Sequence, residues 1–247
     1  MDRKKWRLYF SVILIVASLL LWGFHYYIFQ DLHHILIYGI HDIAFVPLEV
    51  LLVTVVIHEL LERRERRKIR ENLNMLVGSF FSELGNDLLT TFSKYDRNFE
   101  EVREDLSIRE DFNEEEFSKV KEKLKTYNSN IKVTEHELIE LKKYLTENKG
   151  LLVNVLQNQN TLEHEPFTDT LWATYHLTEE LEARKDISEL PEEDIEHLEG
   201  DIERAYNDIT ERWIDYMEHQ KEKYPYLFSL ALRKNPFKKD SSPIIGQ

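Results

Sequence analysis

The chain has 247 residues, a formal net charge of −14 and no cysteine. The missing cysteines exclude a disulfide framework and a thiolate metal site, and the acidic balance excludes nucleic acid, whose binding needs a basic face. The charge is unevenly spread. Residues 1–70 hold ten Lys and Arg against seven Asp and Glu, so residues 71–247 carry −17.

The first predicted element is an apolar run from Leu8 to Phe24 with no charged residue, which continues to Phe29 with His25 inside it. At 1.5 Å per residue, roughly twenty residues cross about 30 Å of hydrocarbon. A signal peptide would carry a shorter apolar region of about 7–15 residues and end in a small-residue cleavage site. This run is longer and ends in Trp22-Gly23-Phe24-His25-Tyr26-Tyr27, an aromatic belt, so it reads as an uncleaved anchor. Arg3, Lys4, Lys5 and Arg7 precede it.

A second apolar segment spans Ile35 to Leu61, but it contains His41, Asp42 and Glu49, with His58 and Glu59 at its end. A carboxylate in hydrocarbon costs about 2.5–3.5 kcal/mol even on the lenient insertion scale, so such residues face protein or water and mark function by default. Arg63, Arg64, Arg66, Arg67, Lys68 and Arg70 follow, while Gln30 to His34 hold no Lys or Arg. Positive flanks stay inside, which predicts a membrane hairpin with both termini cytoplasmic and its short loop outside.

Within that hairpin Asp42 and Glu49 are seven apart and share a helix face, as do Ser11, Ser18 and His25. Folding about residue 32 brings His25 toward Asp42 and Ser18 toward Glu49, a polar seam whose members satisfy one another inside the hairpin or an oligomer. The other reading of the same residues is a functional path. His25, His33, His34 and His41 cluster around the outer loop with Asp31 and Asp42. Imidazole and carboxylate suit zinc, nickel or copper, and imidazole titrates near neutral pH, so His33, His34 and His41 are candidates for outer proton or metal sensing. Their spacing matches no specific metal motif, and amphipathic rings at headgroup level account for them as well.

Beyond the second span the residues Ile69, Leu73, Leu76, Phe80, Leu84, Leu88 and Phe92 recur every three to four positions. That is the stripe of an amphipathic helix, and no proline interrupts Leu48 to Phe92, so the span is expected to run on as one helix through the basic stretch. Gly78 and Gly85 permit close approach of a neighbouring helix. Asn113 with Glu116, and Thr134 with Glu137, have capping-box spacing. Pro166 and Pro191 suit first-turn positions. Ile195, Leu198, Ile202, Tyr206, Ile209, Trp213 and Met217 define a long helix that Pro225 should stop. Residues 234–247 read as a mobile tail.

His164, Glu165, Asp169, His176, Glu179, Glu180, His197 and His219 invite a carboxylate-bridged metal reading. Di-iron bundles need paired Glu-x-x-His elements. None occurs in residues 160–220, where Asp194-x-x-His197 stands alone, so these residues read as a solvated face. No Gly-rich phosphate loop, G-x-S-x-G elbow or H-E-x-x-H is present, and the short loop between the spans cannot hold a potassium-channel filter.

The segment Tyr224-Pro225-Tyr226-Leu227-Phe228-Ser229-Leu230-Ala231-Leu232-Arg233-Lys234-Asn235-Pro236-Phe237 resembles a motif of an uncharacterised group of prokaryotic two-span membrane proteins. Ile40 to Phe45, and Leu76 to Ser82, are similar to the same group. The resemblance implies no activity.

The sequence therefore predicts an all-α protein with three parts. Residues 1–70 form a transmembrane hairpin with spans at about 8–29 and 35–61, residues 71–233 an acidic cytoplasmic helical bundle, and residues 234–247 a tail. The expected role is a non-enzymatic sensor or interaction protein of the inner membrane, homo-oligomeric, with a cytoplasmic protein partner and no cofactor. The alternative is a small oligomeric cation channel or transporter with Asp42 and Glu49 lining its path.

Overall fold

Two residues make the turn between the first two helices. In a computed structural model, which describes residues 3–239 and 241–244, helix α1 (Arg3–Phe29) closes as the Gln30 amide donates to the Tyr26 carbonyl at 2.9 Å. Gln30 sits in the left-handed region at φ 51°, a conformation that costs a non-glycine residue about 1–2 kcal/mol. Asp31 then caps the next helix, its Oδ1 accepting from the His34 amide at 3.0 Å. Because Asp31 supplies that cap, helix α2 (Leu32–Phe80) starts earlier than the predicted span, and His33 and His34 lie in its first turn rather than in a loop. The helix passes Pro47 without a break and continues through the basic stretch, as the unbroken apolar stripe predicted. Exposed pairs four residues apart, Arg63 with Glu59 at 2.7 Å and Arg67 with Glu71 at 2.9 Å, dress that stretch.

The chain forms two compact units, Met1–Glu65 and Arg66–Gln247. In the first, α1 and the beginning of α2 are long and apolar enough to cross a membrane, and nearly every side chain from Leu8 to Leu61 is exposed.

The second unit is all helical apart from its loops; among the described residues the one extended pairing is an isolated antiparallel bridge between Asp96 and Ile131. A single π-helical turn, Phe81–Gly85, joins the end of α2 to helix α3 (Asn86–Tyr95). Gly85 is required there. A Cβ on it would lie 2.7 Å from Phe81 Cδ1 and 2.9 Å from Phe80 Cε1, so the space expected for a neighbouring helix is filled by rings of the preceding turn.

After a short 3-10 turn at Phe99–Glu101, the remaining helices are α4 (Arg103–Leu106), α5 (Glu114–Thr126), α6 (Glu135–Leu156), α7 (Gln159–Leu162), α8 (Glu165–Ala183), α9 (Glu192–Lys223) and α10 (Pro225–Arg233). Both capping boxes form: Asn113 accepts from the Glu116 amide and Thr134 from the Glu137 amide, with each glutamate reaching back. Pro191 is the N-cap of α9, one position before the first turn, and Pro225 opens α10 just after α9 ends.

Helix α9 is the centre of the bundle and packs against α3, α5, α8 and α10, while α8 also packs against α6. Its predicted stripe is buried from Leu198 to Met217. On α8 the buried Thr170, Thr174 and Thr178 form a small-residue ridge. Each hydroxyl donates to the carbonyl four residues earlier, so burial leaves no hydroxyl proton unpaired.

Two buried acids pin loops onto the bundle. Glu199 accepts from Lys132 Nζ at 2.6 Å and the Val133 amide at 3.1 Å. Asp96 accepts from the Tyr127 hydroxyl and from the amides of Asn98 and Asn130, and burial together with that bond raises the Tyr127 phenol above its ordinary range.

The segment after α10 does not begin as a tail. Asn235 and Phe237 are buried: the Asn235 amide group donates to the Leu106 carbonyl at 2.9 Å, and Phe237 packs edge-on against Trp213 with centroids 5.0 Å apart. Aromatic burial holds these residues, leaving Ser241 to Ile244 as the described end of the expected tail; residues 240 and 245–247 lie outside the described residues.

Candidate functional sites

In the first unit, Trp22 lies over Gly39, where a Cβ would meet the indole Cη2 at 2.9 Å. Beside this contact is a cleft of about 300 Å³ lined by Trp22, His25, Ile35, Tyr38, Gly39 and Asp42. His25 Nε2 is buried there without a hydrogen-bond partner, and its ring stands 6.2 Å from that of His34 and 4.8 Å from that of Phe29. The structure thus brings His25 and Asp42 to one cleft, with no hydrogen bond between them among the described residues.

Ser18 and Glu49 are both exposed and share no hydrogen bond among the described residues. A turn at Gln30 and Asp31, rather than at residue 32, puts Glu49 level with about residue 12 and Ser18 with about residue 43 at equal rise per residue. His33 is exposed. His34 and His41 each lie against the aromatic ring four residues on, Tyr38 at 4.6 Å and Phe45 at 4.8 Å.

In the second unit, α8 and α9 bring together four side chains. His176 and Glu180 are four apart on α8; His197 and Asp201 are four apart on α9. His197 Nε2 is 3.4 Å from Asp201 Oδ2 and 3.8 Å from Glu180 Oε2. His176 Nε2 is 3.6 Å from Asp201 Oδ2 and 3.9 Å from Glu180 Oε1. The imidazoles are about half exposed, at 47% and 53%, whereas the Asp201 side chain is 3% exposed and its Oδ2 has no hydrogen-bond partner.

Two arginines hold the carboxylates from outside. Arg184 donates to Glu180 Oε2 and grips Asp194 with two bonds, all at 2.7 Å, while Arg204 Nη1 donates to Asp201 Oδ1 at 3.2 Å. The Arg184 hydrogen bond holds both Glu180 and Asp194 below the usual carboxylate range.

Sequence reasoning included His176, Glu180 and His197 among residues of a solvated face but passed over Asp201. The available signal was two His-x-x-x-acid pairs, His176–Glu180 and His197–Asp201. The other histidines of that group stand apart from this cluster. His164 is the N-cap of α8, its Nδ1 accepting from the Phe167 amide at 3.2 Å. His219 lines a cavity of about 90 Å³ with Arg212, Asp215 and Tyr216, and burial lowers its pKa.

Residues 2–61 match the family model described as the N-terminal helical domain of MJ1433, and residues 69–233 the one described as the C-terminal helical domain of uncharacterized protein MJ1433. The division between these matches brackets the boundary between the two compact units. The uncharacterized protein MJ1433 of Methanocaldococcus jannaschii is 41% identical over 245 residues, covering 99% of this chain and 98% of that protein. No solved structure matches the chain.

Proposed function

This chain belongs to the MJ1433 family, and for it we propose a non-enzymatic role as a membrane-anchored sensor or interaction protein that offers an acidic helical bundle to a cytoplasmic partner. One observation carries the reading. The bundle closes its own core, yet Leu8–Phe29 and the start of α2 leave their leucines, isoleucines, valines and aromatics exposed. Each such side chain forgoes about 1.5–3 kcal/mol of burial in water, which a bilayer supplies.

The Lys and Arg on both flanks, and their absence from Gln30 to His34, support two spans with both termini inside. Asp42 and Glu49 are exposed on α2 within the proposed span, which supports assembly of several copies that shield them from lipid.

The test is extraction of native membranes with alkaline carbonate, followed by reconstitution into vesicles. The protein is expected to stay with the membrane and to pass no cations. Release by carbonate would refute the anchor. Cation flux that changes with Glu49→Gln or Asp42→Asn would replace the sensor reading with a pore.

A further inference from the structure

We propose that His176, Glu180, His197 and Asp201 form a binding site for a divalent first-row transition-metal ion, zinc foremost, between α8 and α9. The inference does not rest on the membrane reading, since all four residues lie within the bundle.

The donor set is two imidazole nitrogens and two carboxylates, which suits zinc and its neighbours and offers nothing to a soft, thiolate-seeking metal. Its spacing fits as well. In a tetrahedral zinc site with bonds of 2.0–2.1 Å, neighbouring donor atoms lie about 3.3 Å apart. Glu180, His197 and Asp201 each bring one donor atom within 4.8 Å of the other two, with His197 Nε2 3.4 Å from Asp201 Oδ2. His176 Nε2 lies 3.6 Å from the same Asp201 oxygen but 3.9 Å from the other Glu180 oxygen, Oε1, so it completes the set by a turn of its half-exposed ring and of the Glu180 carboxylate.

The second, independent observation is Asp201 itself. The residue is 4% exposed, and its Oδ2 is buried with no hydrogen-bond donor. A buried carboxylate oxygen is expensive to leave unpaired. This one points at the Nε2 atoms of both histidines, where an ion bound by them would satisfy it.

The surrounding groups have the character of an outer shell. Arg204 occupies Asp201 Oδ1 and leaves Oδ2 facing the histidines. Arg184 occupies Glu180 Oε2 and leaves Oε1 on the His176 side. Such outer hydrogen bonds fix ligand orientation before the metal arrives. Glu180, Asp194 and Asp201 outnumber Arg184 and Arg204 by one, so the neighbourhood keeps a net negative charge that favours a cation. The half-exposed imidazoles give an ion its way in.

His136 and Glu140 supply the comparison within the same molecule. They have the same four-residue spacing and lie 3.4 Å apart, but both are mostly exposed at 80% and 68%. Two donors on one exposed helix face bind weakly; the proposed site has twice the donors and a desolvated carboxylate.

The experiment uses the full chain in detergent, stripped with a chelator and reloaded with zinc or cobalt(II). Wild type is expected to bind one zinc per chain at this site, to unfold at higher temperature with zinc, and to show the intense visible band of four-coordinate cobalt. Asp201→Asn and the His176→Gln/His197→Gln double variant should each lose at least tenfold in affinity and lose the cobalt band. The double variant alters only half-exposed side chains, so its helical circular dichroism should match wild type. His136→Gln and the His33→Gln/His34→Gln pair should leave both signals intact. The proposal is overturned if wild type shows neither the band nor the stabilisation, if the double variant keeps both, or if binding follows His33 and His34 instead.

Discussion

Phe237→Ala tests whether the end of the chain is part of the fold. Phe237 is 2% exposed, edge-on to Trp213 at 5.0 Å and 5.8 Å from the ring of Phe99. Truncating a buried phenylalanine costs about 3–5 kcal/mol, from lost transfer energy plus the cavity left behind. A segment near a terminus can peel away instead of enclosing a cavity, but that escape is also costly. Peeling uncovers Trp213, itself 1% exposed, and breaks the Asn235 bond to the Leu106 carbonyl. The expected loss is therefore about 3 kcal/mol, near the low end of the core range. Pulse proteolysis of the detergent-solubilised chain across a urea series would measure it, with exposed Lys239→Ala as the comparator. In a cycle with Trp213→Phe, the aromatic pair should show coupling of about 0.5–1.5 kcal/mol. A Phe237→Ala effect below about 0.5 kcal/mol, the size of an ordinary surface change, would refute the docking argument.

Three further outcomes follow from the geometry. With no native cysteine to confuse the readout, Gln30→Cys should react with an impermeant thiol reagent added outside intact cells and Ser241→Cys should not; the opposite labelling would overturn the proposed topology. Gly85→Ala gains about 1 kcal/mol of helix propensity but forces a methyl into the rings of Phe80 and Phe81, an overpacking cost of about 1–3 kcal/mol, so urea unfolding should show net destabilisation. Asp208 has its pKa raised by burial, then by Glu211 and Asp169. Ionising it in the fold is unfavourable, so its penalty is full above the folded pKa and vanishes below the unfolded one. Asp208→Asn should thus stabilise the chain at pH 7 and lose that advantage in acid; a gain that does not vary with pH would count against this account.

Much of the fold was legible because helices announce themselves locally. The stripe from Ile195 to Met217 marks a helix whose buried face the structure retains, and each capping box lies at the residues whose spacing satisfies an orphan amide. What stayed hidden depends on contacts distant in sequence or on backbone detail without a residue rule. The π turn at Phe81–Gly85 has the same apolar spacing as the helices beside it, and only the crowding at Gly85 shows why a small residue stands there. The turn at Gln30 lacks the glycine that usually signals a left-handed residue, so the outer loop reads as longer than its two residues. Asn235 and Phe237 sit in a stretch of lysine, proline and serine that reads as a tail, and only their partners on α9 and α4, Trp213 and Leu106, make them core.

The histidine–carboxylate cluster was obscured for a more specific reason. A search for Glu-x-x-His assumes the three-residue spacing of di-iron bundles, whereas these pairs use the four-residue spacing that also stacks side chains on one helix face. That spacing alone selects nothing: a histidine with a carboxylate four residues on occurs at His58–Glu62, His136–Glu140, His176–Glu180 and His197–Asp201. What separates the last two is which helix lies opposite. Helices α8 and α9 pack on one another, and Asp201 lies on the buried side of α9 despite its acidic neighbours. Asp201 is consequently desolvated while His176 and His197 keep one edge in water, and that asymmetry separates a ligand set from a solvated acidic face. A sequence shows how often a donor recurs along one helix; whether two such helices face one another is decided by packing between residues distant in the chain.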